Sequence, residues 1–224
     1  MRISVLLPVL DEAKQLPMRL EELGRQGLHE TIVCDGGSRD GSWELAQASP
    51  FCKSIQAPRG RGQQINAAAA QATGDVLLIL HADVRLPADW MVRVQRTLSE
   101  PGVVAGAFKT WHTGHGALAP LFHLADFRSR LSGLPYGDQA FFLLRETFVA
   151  VGGCPHQALF EDLELSKRVR ALGQISRVPA RVQVSARRFQ AAPLKYLMLM
   201  NTLPALYRVG VPLALIDRLY GWVR

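Results

Sequence analysis

Apolar residues recur along this chain in two rhythms. Ile3–Val9, Glu30–Cys34, Lys53–Gln56 and Asp75–Leu80 are short runs bounded by turn formers, and they predict strands. Between them, Glu12–Gln26, Gly41–Ala48, Gly62–Thr73 and Pro87–Ser99 predict helices. Strands alternating with helices imply βαβ units, and so an α/β fold whose mainly parallel central sheet is flanked by helices. The second half predicts strands at Gly102–Trp111, Gln139–Leu144 and Arg177–Val184, with helices at Gly116–Leu131 and Glu161–Leu172. A break near Ala191-Ala192-Pro193 divides the chain into a domain, residues 1–190, and a basic amphipathic helical tail, residues 191–224, which Pro204 and Pro212 are expected to cut into short helices.

Composition narrows this picture. The 224 residues are 48% apolar, enough for one α/β domain with an appendage. Met1-Arg2 leads directly into the first strand, so a cleaved leader is not expected. No run approaches the roughly 20 apolar residues of a spanning helix. Cys34, Cys52 and Cys154 are widely spaced and read as small buried apolar residues of a reducing, cytoplasmic compartment. Charge is unevenly placed: residues 1–176 balance, whereas residues 177–224 carry eight basic side chains and one acid, Asp217, and hence the whole net charge of +7. Such a segment seeks an anionic partner.

Ligands in parallel sheets bind beyond the carboxyl ends of the strands. After the first strand stands Pro8-Val9-Leu10-Asp11-Glu12, whose acids either hold a nucleoside or complement a helix dipole. After the second stands Asp35-Gly36-Gly37-Ser38-Arg39-Asp40-Gly41-Ser42, where paired glycines let backbone approach a ligand and Asp35 can accept from a base or ribose; the plainer reading is a turn with Asp40 as helix cap. Arg59-Gly60-Arg61-Gly62 places cations beside free N–H groups at a helix start, a setting for phosphate or base. His81-Ala82-Asp83 ends an apolar strand, with alternation expected to put His81 and Asp83 on one side; Asp83 with diphosphate oxygens would suit Mg²⁺ or Mn²⁺, or else Asp83 caps the next helix. Glu161 and Asp162 open a helix, either as dipole-stabilising acids or with one of them as general base.

Taken in order, these segments resemble the family 2 glycosyltransferases of the GT-A (nucleotide-diphospho-sugar transferase) fold. Five stretches carry the likeness: Pro8-Val9-x-Asp11-Glu12, Asp35-Gly36-Gly37-Ser38-x-Asp40-Gly41-Ser42, Gly60-Arg61-x-x-Gln64-x-Asn66, Gly74-Asp75 through His81-Ala82-Asp83, and Glu161-Asp162. The His-Ala-Asp form, Tyr136-Gly137-Asp138-Gln139 and Ser185-Ala186-Arg187-Arg188-Phe189 are similar to the bacterial branch called rSAM/selenodomain-associated transferase 2. The resemblance implies donor contacts from Pro8, Asp11, Glu12, Asp35 and Arg61, with Asp83, helped by His81, in the metal-binding place of an Asp-x-Asp motif. It implies Asp162, with Glu161 beside it, as base, and acceptor contacts at Asp138 and Gln139. Arg187 and Arg188 would steady the leaving diphosphate or form a basic loop. The sequence departs from the usual pattern with Asp11 where Asn is common and His81 at the first Asp of Asp-x-Asp.

The expected reaction is inverting transfer of a sugar from a UDP- or GDP-type donor to a hydroxyl, with a divalent cation, Mn²⁺ or Mg²⁺. The tail, mixing Leu, Met, Tyr and Trp with Lys195, Arg208, Arg218 and Arg224, suits peripheral contact with the inner face of the cell membrane and a lipid-linked acceptor; the alternative is that it packs on the domain or forms a dimer. A nucleotidyltransferase would place a glycine-rich loop with arginine directly after the first strand, where this chain has none. A catalytically inactive nucleotide-binding protein would not need the acids kept here. No nucleic-acid partner is expected, since the basic tail lacks a polar surface interleaved with aromatics.

Overall fold

The computed structural model describes residues 1–113, 133–185 and 193–223. The predicted helix at 116–131 therefore lies outside the described residues. Among the described residues eight strands form one sheet: β1 (Ile3–Val9), β2 (Glu30–Asp35), β3 (Lys53–Gln56), β4 (Val76–Ile79), β5 (Val84–Arg85), β6 (Val103–Thr113), β7 (Phe142–Leu144) and β8 (Gln174–Ser185). Their order is β3-β2-β1-β4-β7-β6-β8-β5. The first four strands run parallel, as does β6 with β8, while β7 and β5 lie antiparallel to their neighbours.

Strand alternation builds a core on each face. Val5, Leu7 and Val9 of β1 point to the side covered by α1 (Leu16–Gly24) and α4 (Trp90–Leu98), where Leu20, Trp90, Val94 and Phe108 are buried. Leu6 points to the other side, against Ile65 of α3 (Arg61–Gln71), Phe148 of α5 (Arg145–Ala150) and Leu165 of α6 (Glu161–Arg170). Burial of this kind is worth about 1.5–3 kcal/mol for each large aliphatic side chain. Cys34 and Cys154 belong to the same layer as Leu6; burial, and then the charge of Asp35, pushes the Cys34 thiol up to about 11, and burial raises Cys154 as well. Both thiols are thereby held neutral and unreactive.

The predicted elements recur with local corrections. The first helix begins at Leu16 rather than Glu12, because Glu12 O is taken by the N–H groups of Gln15 and Leu16 in a preceding turn and Pro17 occupies the first helical turn. Helix α2 (Ser42–Ala48) follows Gly41 in the left-handed conformation, φ 91°. The predicted strand Gln139–Leu144 is shorter: Gly137–Gln139 form a 3-10 turn and only Phe142–Leu144 pair. Strand β5 and helix α5 had no periodicity long enough to announce them. Pro204 does not divide the tail: α7 (Pro193–Arg208) runs through it at the loss of one backbone hydrogen bond, and α8 (Leu213–Val223) starts after Pro212.

The tail packs on the domain. Leu199, Leu203 and Ile216 are buried with Leu159 and Phe160 beside them. Among the described residues no helix is long and apolar enough to cross a membrane.

Candidate active site

The polar segments that follow β1, β2 and β4 all leave the carboxyl edge of the parallel strands, and cross-links fasten the first two together. Asp11 N–H donates to Ser38 Oγ at 2.9 Å, and Arg39 N–H returns to Asp11 Oδ1 at 2.8 Å. Glu12 N–H donates to Ser42 Oγ at 2.8 Å and Ala13 N–H to Asp40 Oδ2 at 2.9 Å. Asp40 also accepts the Ser42 N–H at 3.0 Å, but the N-cap of the following helix is Gly41, with no side-chain cap, so Asp40 staples the two loops instead of capping the helix as the plainer reading expected. Pro8 ends this rim half-buried, Glu12 is half-buried and Asp11 is exposed.

Asp35 is fully buried. Its Oδ1 accepts the Gly37 and Ser38 N–H groups at 2.8 and 3.0 Å, and its Oδ2 accepts Ser38 Oγ–H at 2.5 Å. The carboxylate expected to meet a nucleoside is thus spent on shaping its own loop, because a buried anion must be satisfied by the nearest donors. Gly37, φ 90°, supplies the left-handed turn that brings those N–H groups round.

Helix α3 joins this rim to the second half of the molecule. Gln64 donates through Nε2 to Val9 O at 2.7 Å and Cys34 O at 2.8 Å, tying the ends of β1 and β2. Asn66 exchanges two bonds with Cys154, 2.7 and 2.8 Å long. Arg61, one turn from Gln64, donates to Glu161 Oε1 at 2.8 Å. The motif residues Gln64 and Asn66, to which no role was attached, are therefore the bolts between loops; their amides, able to donate and accept, were the only signal in the sequence.

The two adjacent acids of α6 separate by environment. Glu161 is 2% exposed, and burial raises its carboxyl against the opposing pull of Arg61, with Asp162 adding to the rise. Asp162 is half-buried: Oδ2 accepts Gly137 N–H at 2.6 Å and Oδ1 accepts Leu163 N–H at 2.7 Å. A methyl group at Gly137 would come within 3.1 Å of the His81 ring and 3.2 Å of Asp162 Oδ2, so Gly137 is the point where the strand-β4 loop meets α6.

His81, Ala82 and Asp83 do not continue β4 as an extended chain. Val84 N–H donates to His81 O at 3.1 Å, so the segment is a turn, and the alternation expected to align His81 with Asp83 does not apply. Asp83 does not cap α4, whose N-cap is Asp89. Arg19 Nε braces the turn from behind through Ala82 O at 3.3 Å, and Ser185 N–H at the end of β8 donates to Asp83 O at 3.1 Å. Arg187 and Arg188 lie outside the described residues. Among the described residues no group of three or more His, Cys, Asp or Glu side chains could hold a metal. An imidazole and one carboxylate in a single turn still fit a divalent ion whose other positions are filled by phosphate oxygens and water.

Asp138 is half-buried in the 3-10 turn beside Gly137. Gln139 is 2% exposed, and its Oε1 accepts the Tyr136 N–H at 3.0 Å, so it closes the turn from inside instead of reaching an acceptor. Among the described residues three non-glycine residues have positive φ: Asp11 at 55°, Ala140 at 47° and Phe160 at 62°. Each belongs to or adjoins a candidate segment, and each costs about 1–2 kcal/mol that the surrounding packing must supply.

Residues 4–155 match the family model described as glycosyl transferase family 2. No curated protein gives a significant match. The fold is similar to that of the mannosyltransferase PcManGT of Pyrobaculum calidifontis, solved with GDP-Man and Mn²⁺, with a TM-score of 0.71 at 18% identity over 93% of this chain and 64% of that one. It is similar to S. aureus TarS 1-349 in complex with UDP-GlcNAc, TM-score 0.66 at 17% identity over 92% and 67%. It is also similar to M. tuberculosis glucosyl-3-phosphoglycerate synthase with phosphoglyceric acid, TM-score 0.64 at 19% identity over 94% and 81%. The chain thus spans about two thirds of the length of the first two structures.

Proposed function

Since the chain belongs to glycosyl transferase family 2 and has the GT-A fold, we propose that it moves a sugar, with inversion, from a nucleotide-diphosphate donor to an acceptor hydroxyl. The observation that carries this reading is Asp162: a carboxylate fixed by two backbone N–H groups, at Gly137 beside His81, on the carboxyl edge of the sheet.

In this reading each segment has its own part in the reaction. The rim built from Pro8, Asp11, Glu12 and the Asp35 loop forms the nucleoside side, and its mutual hydrogen bonds fix its shape before a donor arrives. Asp83 and His81 would hold a divalent cation, which supplies neutralisation of the charge growing on the departing diphosphate. Asp162 accepts the proton of the attacking hydroxyl, and its two N–H partners keep one oxygen aimed as that bond forms. Arg61 acts through Glu161: their ion pair anchors the start of α6 to α3 and so positions Asp162. The acceptor is assigned to Asp138, which stands next to Gly137 in the 3-10 turn.

Met198, Val209, Leu215 and Leu219 stay exposed on the tail although other tail residues pack on the domain. This supports a tail that docks on the enzyme with one edge and on the headgroup region with the other, next to a lipid-linked acceptor. Incubation with UDP- and GDP-sugars and Mn²⁺ tests the reaction: sugar nucleotide is consumed by the wild type, and Asp162→Asn loses about 10²–10⁴-fold in transfer while still binding donor. Retained activity in that variant, or pyrophosphate release from sugar phosphate and nucleoside triphosphate, overturns the proposal. Unchanged co-sedimentation of a tail-deleted chain with anionic vesicles overturns the membrane contact.

A further inference from the structure

Away from the carboxylates, strand alternation creates a second site. Val182 and Val184 of β8 are buried, so Arg181 and Gln183 face outward. Arg85 of β5 pairs in register with Gln183. Across from them, α1 and the turn after it present Arg19, Glu22 and Arg25, and the six residues line a cleft of about 450 Å³.

Its charge is unbalanced. Arg19 and Arg85 share one carboxylate, Glu22, with Arg85 Nε at 3.1 Å from Oε1. Each guanidinium carries about five N–H donors, and a carboxylate offers about four acceptor positions, so Glu22 cannot satisfy both. Arg25 turns to Glu21 at 2.5 Å, and Arg181 lies over the Trp111 ring, 4.8 Å from its centroid. Arg19 is 4% exposed. Burial lowers its pKa, Glu22 and Asp83 oppose that, and Arg85 adds to it. Counting Glu21, Glu22 and Asp83 against four arginines still leaves the cleft cationic. Arginines from α1, β5 and β8 line this one cleft, and planar guanidinium forks match a tetrahedral dianion better than a single carboxylate.

We propose that the cleft between α1, β5 and β8 binds a phosphomonoester, with Arg85 and Arg181 as its open arms and Arg19 as its floor. Occupancy reaches the His81–Asp83 turn, because Arg19 Nε donates to Ala82 O at 3.3 Å. The inference does not depend on the transferase reading.

The test uses the full chain in EDTA, with glycerol 3-phosphate titrated by calorimetry and phosphatidylcholine vesicles with or without phosphatidic acid tested by co-sedimentation. Wild type should bind at least one probe. Binding of soluble phosphate alone identifies a free metabolite, and binding that requires phosphatidic acid identifies a lipid headgroup. The R85Q/R181Q double variant should bind about tenfold more weakly. Glu22→Gln should bind more tightly, since it removes the competing carboxylate. Arg93→Gln, on an exposed arginine paired with Asp89, should change nothing. Should the double variant fail to fold, Arg181→Gln alone, on an exposed side chain, must show a loss. Binding of neither probe, wild-type affinity after the arginine substitutions, or an equal loss in Arg93→Gln overturns the proposal.

Discussion

Tyr207 of the tail stacks on Phe160, ring centroids 4.9 Å apart and planes 27° from parallel. Phe160 is the left-handed residue before the helix that begins Glu161-Asp162. The Tyr207 hydroxyl donates to Glu164 Oε2 at 3.4 Å, and Arg208 donates to the Tyr136 hydroxyl at 3.4 Å beside the Gly137 turn. A tail read from its charge as a membrane element is therefore also a clamp on both sides of Asp162. Tyr207→Ala should cost about 1 kcal/mol or more in stability and lower kcat more than it changes the KM of the donor. Tyr207→Phe, which keeps the stack, should restore kcat. Steady-state kinetics of the two variants check this.

Gly137→Ala adds a methyl group that must displace the His81 ring, the Asp162 carboxylate or both. Overpacking of this kind costs about 1–3 kcal/mol, and transfer should fall about tenfold or more because the displaced groups are the candidate chemistry. A transfer assay alongside a melting curve separates the two effects; full activity would mean that the close approach has no role.

Removing one partner of the Arg61–Glu161 pair should be asymmetric. Arg61→Gln leaves a buried carboxylate without its cation and should cost about 2 kcal/mol, a figure discounted because Arg61 is 45% exposed. Glu161→Gln leaves only a half-exposed arginine and a neutral buried amide, and should cost less. Burial already raises the Glu161 carboxyl, so the Arg61→Gln protein should gain stability as pH falls through that raised value, where the buried acid takes up a proton. Chemical denaturation of both variants over a pH series checks the order.

Glu30 should dominate acid sensitivity at the other end of the sheet. Burial pushes its carboxyl up, but Ser4 Oγ, the Thr73 N–H and hydroxyl, and the Gly74 N–H outweigh that and hold it below its ordinary value of 4.5. A lowered folded value means a contribution that is complete above pH 4.5 and lost as pH falls through the folded value. Glu30→Gln should cost about 2 kcal/mol at neutral pH and flatten the acid limb of the stability profile. Denaturant midpoints between neutral pH and the acid limb test it.

The strands were legible because burial on both faces leaves near-continuous aliphatic runs, as in Ile3–Val9 and Val76–Ile79. The candidate acids were legible because they cluster where such runs end. Gln139 and Asp35 show the limit of that reasoning: both were expected to meet ligands, and both are buried on their own turns. Whether a polar side chain faces outward or satisfies its own loop depends on which donors the backbone brings within about 3 Å, and the order of residues does not encode that distance.

By itself, then, the sequence determined the layered α/β architecture, the family and the set of acids at the strand ends, since periodicity and motif order are local properties of the chain. Tertiary structure alone decided that Glu161 is buried under Arg61 while Asp162 reaches Gly137, that the His81–Asp83 segment is a turn, and that the tail grips Phe160. Those outcomes arise between residues as far apart as Arg61 and Glu161, and such pairs are selected by packing and by the cost of leaving a buried charge unmatched, which no window of neighbouring residues contains.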